Sequence, residues 1–183
     1  MPPKENSEVE DTLDFAALKS AELNPYLKYL YGNRFAEVVV IKGEPGAVEL
    51  AGGQPFFGED AQALESALNT LGWGSNNWCG VITELPGEAG LSAGDVRLLI
   101  EIIDPRAVVA LDSHALEILW EGLASGERCA EGKVAVPQKP RPGQNTLFLG
   151  RMFVAVNGFE TALASKDEKA KRRVWRELKA LKN

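Results

Sequence analysis

Two cysteines, one histidine and two methionines leave this 183-residue chain with few side chains that hold metals or soft cofactors. Cys79 and Cys129 form no CxxC pair and no disulfide framework, so both are expected as buried free thiols. His114 has neither a second histidine nor a nearby cysteine to share a zinc ion. Neither a GxxxxGK[ST] loop nor a GxGxxG fingerprint is present, which argues against ATP or NAD. No metal or cofactor is therefore expected. No apolar run approaches the roughly 20 residues that span a bilayer. Met1 to Glu10 lacks the hydrophobic segment of a signal peptide, and a cytoplasmic protein without a membrane partner is the expectation.

With 45% hydrophobic and 25% charged residues, the chain can bury one substantial core. Residues 1 to 11 are polar and acidic and are expected as a flexible leader, with 12 to 183 as a single domain. The net charge of −6 is unevenly placed: residues 1 to 126 carry 7 Lys and Arg against 20 Asp and Glu, and residues 127 to 183 carry 13 against 6. Two readings fit the basic end. One is a face for a polyanion such as DNA; the other is a solvated amphipathic helix.

Apolar runs predict strands over Glu37 to Ile41, Cys79 to Thr83, Ala107 to Leu111 and Phe148 to Val156, the last divisible at Gly150. Three- and four-residue periodicity predicts one or two helices from Thr12 to about Tyr31, interrupted near Asn24-Pro25. Further helices are predicted over Glu59 to Leu71, Ser92 to Ile103, His114 to Ala124 and Ser165 to Leu181. Ser92 with Asp95 three residues on reads as a helix start, and Gly72 and Asp104-Pro105 as stops. Val134 to Gln144, with three prolines, reads as an irregular crossing. Strands alternating with helices imply an α/β fold: a mainly parallel central sheet covered on both faces, in three α/β/α layers.

The stretch Val38-Val39-Val40-Ile41-Lys42-Gly43-Glu44-Pro45-Gly46 carries the most chemistry. A short buried strand runs into a Gly-Pro-Gly turn and delivers a carboxylate to the sheet edge, where open α/β sheets place ligands. Pro45 holds Glu44 extended, while Gly43 and Gly46 let the backbone approach a guest closely. A carboxylate so fixed can orient a water for attack on an electron-poor carbon. A structural turn with a solvated glutamate is the alternative.

Glu49 follows, then Gly53-Gln54-Pro55-Phe56-Phe57-Gly58, and Ala61, Leu64 and Leu68 on one helix face. Together these resemble the thermophilic-type, iron-sulfur branch of the uracil-DNA glycosylase superfamily, whose Gly-Glu-Ala-Pro-Gly motif precedes Gly-x-Pro-Phe-x-Gly. The likeness continues through Pro105-Arg106-Ala107-Val108-Val109-Ala110-Leu111 and Val174-Trp175-Arg176-Glu177-Leu178-Lys179-Ala180-Leu181, and covers about residues 36 to 181.

The resemblance implies that Phe56 stacks on an extruded base, with Gly43, Pro45 and Gly80 around it; Phe56 as ordinary core is the alternative. Register puts Lys42 and Gly43 where the branch has Gly-Glu, so Glu44 takes the water-orienting role one place later. The second-strand motif falls at Trp78-Cys79-Gly80-Val81-Ile82-Thr83, without the amide that reads uracil. The last motif, normally His-Pro-Ser, falls at Val156-Asn157-Gly158-Phe159, so Asn157 would contact the base in place of the histidine. Two cysteines cannot hold the branch's four-thiolate cluster. In a DNA-binding reading, Phe159 is a wedge beside the flipped base, and Arg151, Lys171 and Arg172 meet phosphate; otherwise Phe159 packs and the cations are solvated. A degenerate glycosylase with weak or no uracil excision, a non-catalytic interaction module on the same scaffold, and a small nucleobase or nucleotide binder are the three functional readings.

Overall fold

A computed structural model describes residues 18–74, 76–125 and 137–182. The predicted leader, the helical start at Thr12 to Ala17, Cys129 and the first residues of the proline-rich crossing lie outside the described residues.

Among the described residues six strands form one sheet: β1 (Leu30–Gly32), β2 (Val38–Lys42), β3 (Trp78–Ile82), β4 (Ala107–Ala110), β5 (Asn145–Phe148) and β6 (Arg151–Ala155). Their order is β1-β3-β2-β4-β6-β5. The inner four are parallel, and the short edge strands β1 and β5 run antiparallel to them. Every residue of β2, β3 and β4 is buried, which requires cover on both faces and explains their unbroken apolar sequence.

The helices are α1 (18–23), α2 (Ala47–Leu50), α3 (Glu59–Thr70), α4 (Ala93–Ile103), α5 (Ser113–Ser125), α6 (Phe159–Ala164) and α7 (Glu168–Leu178). From β2 the chain crosses through α3 to β3 on one side, then returns through α4 to β4 on the other. Right-handed crossovers in opposite directions put α3 on one face and α4 with α5 on the other. Consistent with this, α4 packs against α5, while the end of α3 shares a surface hollow with Trp175 and Arg176 of α7.

Local chemistry sets the boundaries. The Ser92 hydroxyl accepts the Asp95 N–H at 3.1 Å and the Asp95 carboxylate accepts the Ser92 N–H at 2.8 Å, a capping box that starts α4. Asp104 ends that helix with φ 54°, ahead of Pro105. α1 is anchored by Lys19, whose ammonium donates to the Ile103 carbonyl at 2.7 Å, at the negative end of α4.

Phe148 to Val156 divides at Gly150, as the sequence allows, and forms a hairpin: Leu149 and Gly150 take φ 49° and 77°, and the pairing extends back to Asn145. Two helix expectations are corrected. The first helical stretch tightens into a 3-10 turn over Asn24–Tyr29 and ends in β1, so Tyr31 is a strand residue. The C-terminal helix is shorter than Ser165 to Leu181, because Ser165 is extended and Asp167 caps α7. A short α6 precedes it, opened by Gly158 in the left-handed region.

No helix among the described residues is long and apolar enough to cross a membrane.

Candidate functional site

Strand β2 is where the chain's direction of travel across the sheet reverses. Its carboxyl end, with those of β4 and β6, opens into the crevice that such a switch point creates. A cavity of about 390 Å³ lies there, bounded by Lys42 and the Glu44-Pro45-Gly46 turn, by Phe56, Asp60 and Leu64, and by the ends of β4 and α6.

Its centre is a lysine. Lys42 closes the all-buried strand β2, and its side chain is 4% exposed. A buried ammonium requires partners, and three carboxylates supply them. Both Glu49 oxygens lie 3.1 Å from Nζ, Glu160 Oε2 lies at 2.8 Å and Asp60 Oδ2 at 3.7 Å. The ammonium donates to both Glu49 oxygens, and Glu160 adds a close ion pair. Burial alone would lower the Lys42 pKa, but the bonds and charges of Glu160 and Glu49 outweigh it and hold the group above its usual value.

Glu49 is the organising anion. It sits at the third position of α2, accepts the Gly46 N–H at 3.0 Å and the Phe56 N–H at 3.1 Å, and binds Lys42. One carboxylate thereby ties the strand end, the Gly-Pro-Gly turn and the aromatic loop together. Burial would push its carboxyl up, yet the backbone N–H groups and Lys42 together hold it below the usual carboxylate value. Phe56, held by this bond, takes φ 55°, a left-handed conformation that a bulky residue adopts only under constraint.

The Phe56 ring lies on β3 where Gly80 leaves the sheet bare. A Cβ at Gly80 would stand 2.6 Å from the ring. Trp78 meets it edge-on at 5.8 Å between centroids, and Tyr31 stacks at 6.3 Å. Phe56 is thus both core, at 2% exposed, and cavity wall.

Gly43 is also sterically required. A Cβ there would stand 2.5 Å from the backbone nitrogen of Ala115 and overlap the Asp112 carboxylate. That carboxylate accepts the Gly43 N–H at 2.8 Å and the Ala115 N–H at 2.7 Å, joining the turn to the start of α5. At Gly46 a side chain would overlap Glu160, so the turn after β2 and the start of α6 touch.

Of the residues singled out from sequence, Glu44, Pro45 and Phe56 line the cavity, Glu44 exposed at its rim. Gly43 and Gly80 lie buried behind its walls. Asn157 does not line it. The residue is exposed in an adjoining hollow with Asp167 and Arg173, which shares only Gly158 and Thr161 with the cavity. Its backbone is held by Glu177, which accepts its N–H at 2.8 Å, and by Arg173, which donates to its carbonyl at 3.3 Å.

Phe159, expected as a wedge in one reading, is 4% exposed and packs in the core at the cavity wall. Arg151 stands at the amino end of β6, opposite the cavity, paired with Asp104 at 2.6 Å. Lys171 pairs with Glu168 at 3.4 Å and Arg172 is exposed, both on the polar face of α7. His114 lies 3.2 Å from Glu84, and Cys79 is a buried free thiol pushed up to about 12 by burial.

Sequence reading did not single out Lys42, Glu49, Asp60, Asp112 or Glu160 as site residues. One signal was available: a lysine ending an apolar strand is buried only with a partner, and Glu49 lies seven positions on. Nothing local points to Glu160. No protein-family model and no curated protein matches the chain.

Proposed function

We propose that this chain is a divergent member of the uracil-DNA glycosylase superfamily, with an α/β/α sandwich of that type and a cavity that accepts one planar base. Uracil excision is expected to be weak or absent. The observation that carries the reading is that Glu44 and Phe56, the water-orienting carboxylate and the base platform of the resemblance, line one cavity at the switch point of the sheet.

Two features argue that excision is weak. A leaving base gathers negative charge, which a preorganised donor must stabilise, yet the Lys42 ammonium is buried among the carboxylates of Glu49, Glu160 and Asp60. Asn157, in the histidine's place, lies outside the cavity. If the reaction runs, a water held by Glu44 attacks C1′. The N-glycosidic bond breaks with its electron pair on the base, and the water proton passes to Glu44. Arg173, exposed at the adjoining hollow, and its exposed neighbour Arg172 would then be the cations that meet DNA phosphate.

Incision assays on duplexes carrying uracil, hypoxanthine or mismatches test this. Any excision above background should disappear in Glu44→Ala. Robust uracil release that survives that substitution refutes the reading. A second reading, a non-catalytic interaction module, is favoured by the carboxylates at the cavity, which repel phosphate. Absence of oligonucleotide binding even at low salt would select it.

A further inference from the structure

The cavity's polar side chains are almost all acceptors. Glu44, Asp60, Asp112 and Glu160 line it, against a single lysine that is 4% exposed and paired with Glu49 and Glu160. Asp112 is also committed, one oxygen to each of two backbone N–H groups. Asp60 is not, since 3.7 Å from Lys42 is beyond hydrogen-bond reach. Glu160 meets Lys42 through Oε2, which leaves Oε1 at the cavity edge beside Gly46. Their side chains are partly exposed, at 20% and 36%, whereas Lys42 and Glu49 are sealed beneath them. Around this acidic floor stand Phe56, Leu64, Leu111 and Phe159, an apolar enclosure suited to a flat ring.

A guest edge made of carbonyls would place its oxygens against partly exposed carboxylates, with the one ammonium buried beneath them and already paired. An edge of two adjacent N–H donors suits a carboxylate instead, because the fork of donors meets both oxygens, as an arginine does. We propose that the guest is a planar nitrogen heterocycle presenting an amidine-type edge, a ring N–H beside an exocyclic amine, to Glu160 and Asp60. This inference rests on the base-cavity reading above and deepens it. The residues that set specificity are then Glu160 and Asp60, with Lys42 holding Glu160 in place rather than touching the guest.

Isocytosine and uracil form the sharpest pair of probes, equal in size and differing by an amine in place of one carbonyl oxygen. Calorimetric titration of the full chain should show isocytosine at least tenfold tighter than uracil, and benzamidine, a planar amidinium, bound competitively with it. The preference should fall below threefold in Glu160→Gln and in Asp60→Asn, each a partly exposed position at which circular dichroism checks folding. Uracil bound as tightly as isocytosine overturns this inference and leaves the base-cavity reading standing. Spermidine bound as tightly as benzamidine also overturns it, since charge without a planar edge would then suffice. If no heterocycle binds, the base-cavity reading fails and this inference with it.

Discussion

Removing the Lys42 ammonium should be among the most damaging single changes available to this fold. In Lys42→Met the side chain keeps an unbranched apolar stem, but Glu49, 1% exposed at its side chain, loses the one cation it pairs with among the described residues, with Glu160 and Asp60 close by. Breaking a buried pair by deleting one partner costs about 3–5 kcal/mol, because an uncompensated charge remains in a poorly solvated place. Glu49→Gln differs in kind. Lys42 retains Glu160 and Asp60, and the loss is that of hydrogen bonds to Gly46, Phe56 and Lys42 that an amide satisfies only in part, about 1–3 kcal/mol. The lysine variant should therefore be the weaker of the two. Urea unfolding followed by tryptophan fluorescence measures both, Trp78 and Trp120 being buried reporters.

The pH dependence separates charge from packing. In the unaltered chain, the Glu49 pKa is held below its usual 4.5, so its contribution is present above that value and lost as pH falls through the lower folded value. Lys42 is held above its usual 10.5, so its contribution is present below that value and lost as pH rises through the higher folded one. Between about 4.5 and 10.5 the pair's contribution is flat. In Lys42→Met, burial without a cation pushes the Glu49 carboxyl up, and its protonation then favours the folded state, so the deficit shrinks on acidification. A deficit below about 1 kcal/mol at neutral pH, against the 3–5 kcal/mol expected for a buried pair, or one that does not change with pH, refutes the electrostatic account.

Three further outcomes are expected. Gly80→Ala should drive the Phe56 ring toward the cavity, since the new Cβ would stand 2.6 Å from it; overpacking costs about 1–3 kcal/mol, and base binding in the same titrations should drop by tenfold or more. Cys79, pushed up to about 12, should stay unreactive to a thiol reagent at pH 8 in a Cys129→Ser background and react fully in denaturant; fast native labelling would contradict its burial. Ser92→Ala removes half of the α4 capping box and should cost about 1 kcal/mol in urea unfolding, whereas a change within error would mean that Asp95 alone caps the helix.

Much of the architecture follows from local pattern. Val38 to Ile41 and Ala107 to Ala110 are apolar without interruption because both faces of their strands are covered, and that burial is written into the residues. The caps at Ser92 and Asp104 are likewise short-range chemistry between neighbours. The edge strands were less legible. Leu147 is exposed and β1 has three residues, so neither carries a strong alternation. At the site, Glu44 and Phe56 were visible through the glycines and prolines around them, since a turn advertises itself in sequence.

Taken alone, the order of residues determined the buried parallel strands, the amphipathic helices and the turn that projects Glu44, all through interactions spanning a few positions. Only tertiary structure decided that Glu160, from the short α6 after the last strand, meets Lys42 at the end of the second, that Phe159 packs inward, and that Asn157 faces a separate hollow. The physical reason is that the charge of a cavity is a sum over groups the topology gathers from distant positions. Whether a buried lysine offers its protons to a guest depends on which carboxylates reach it first.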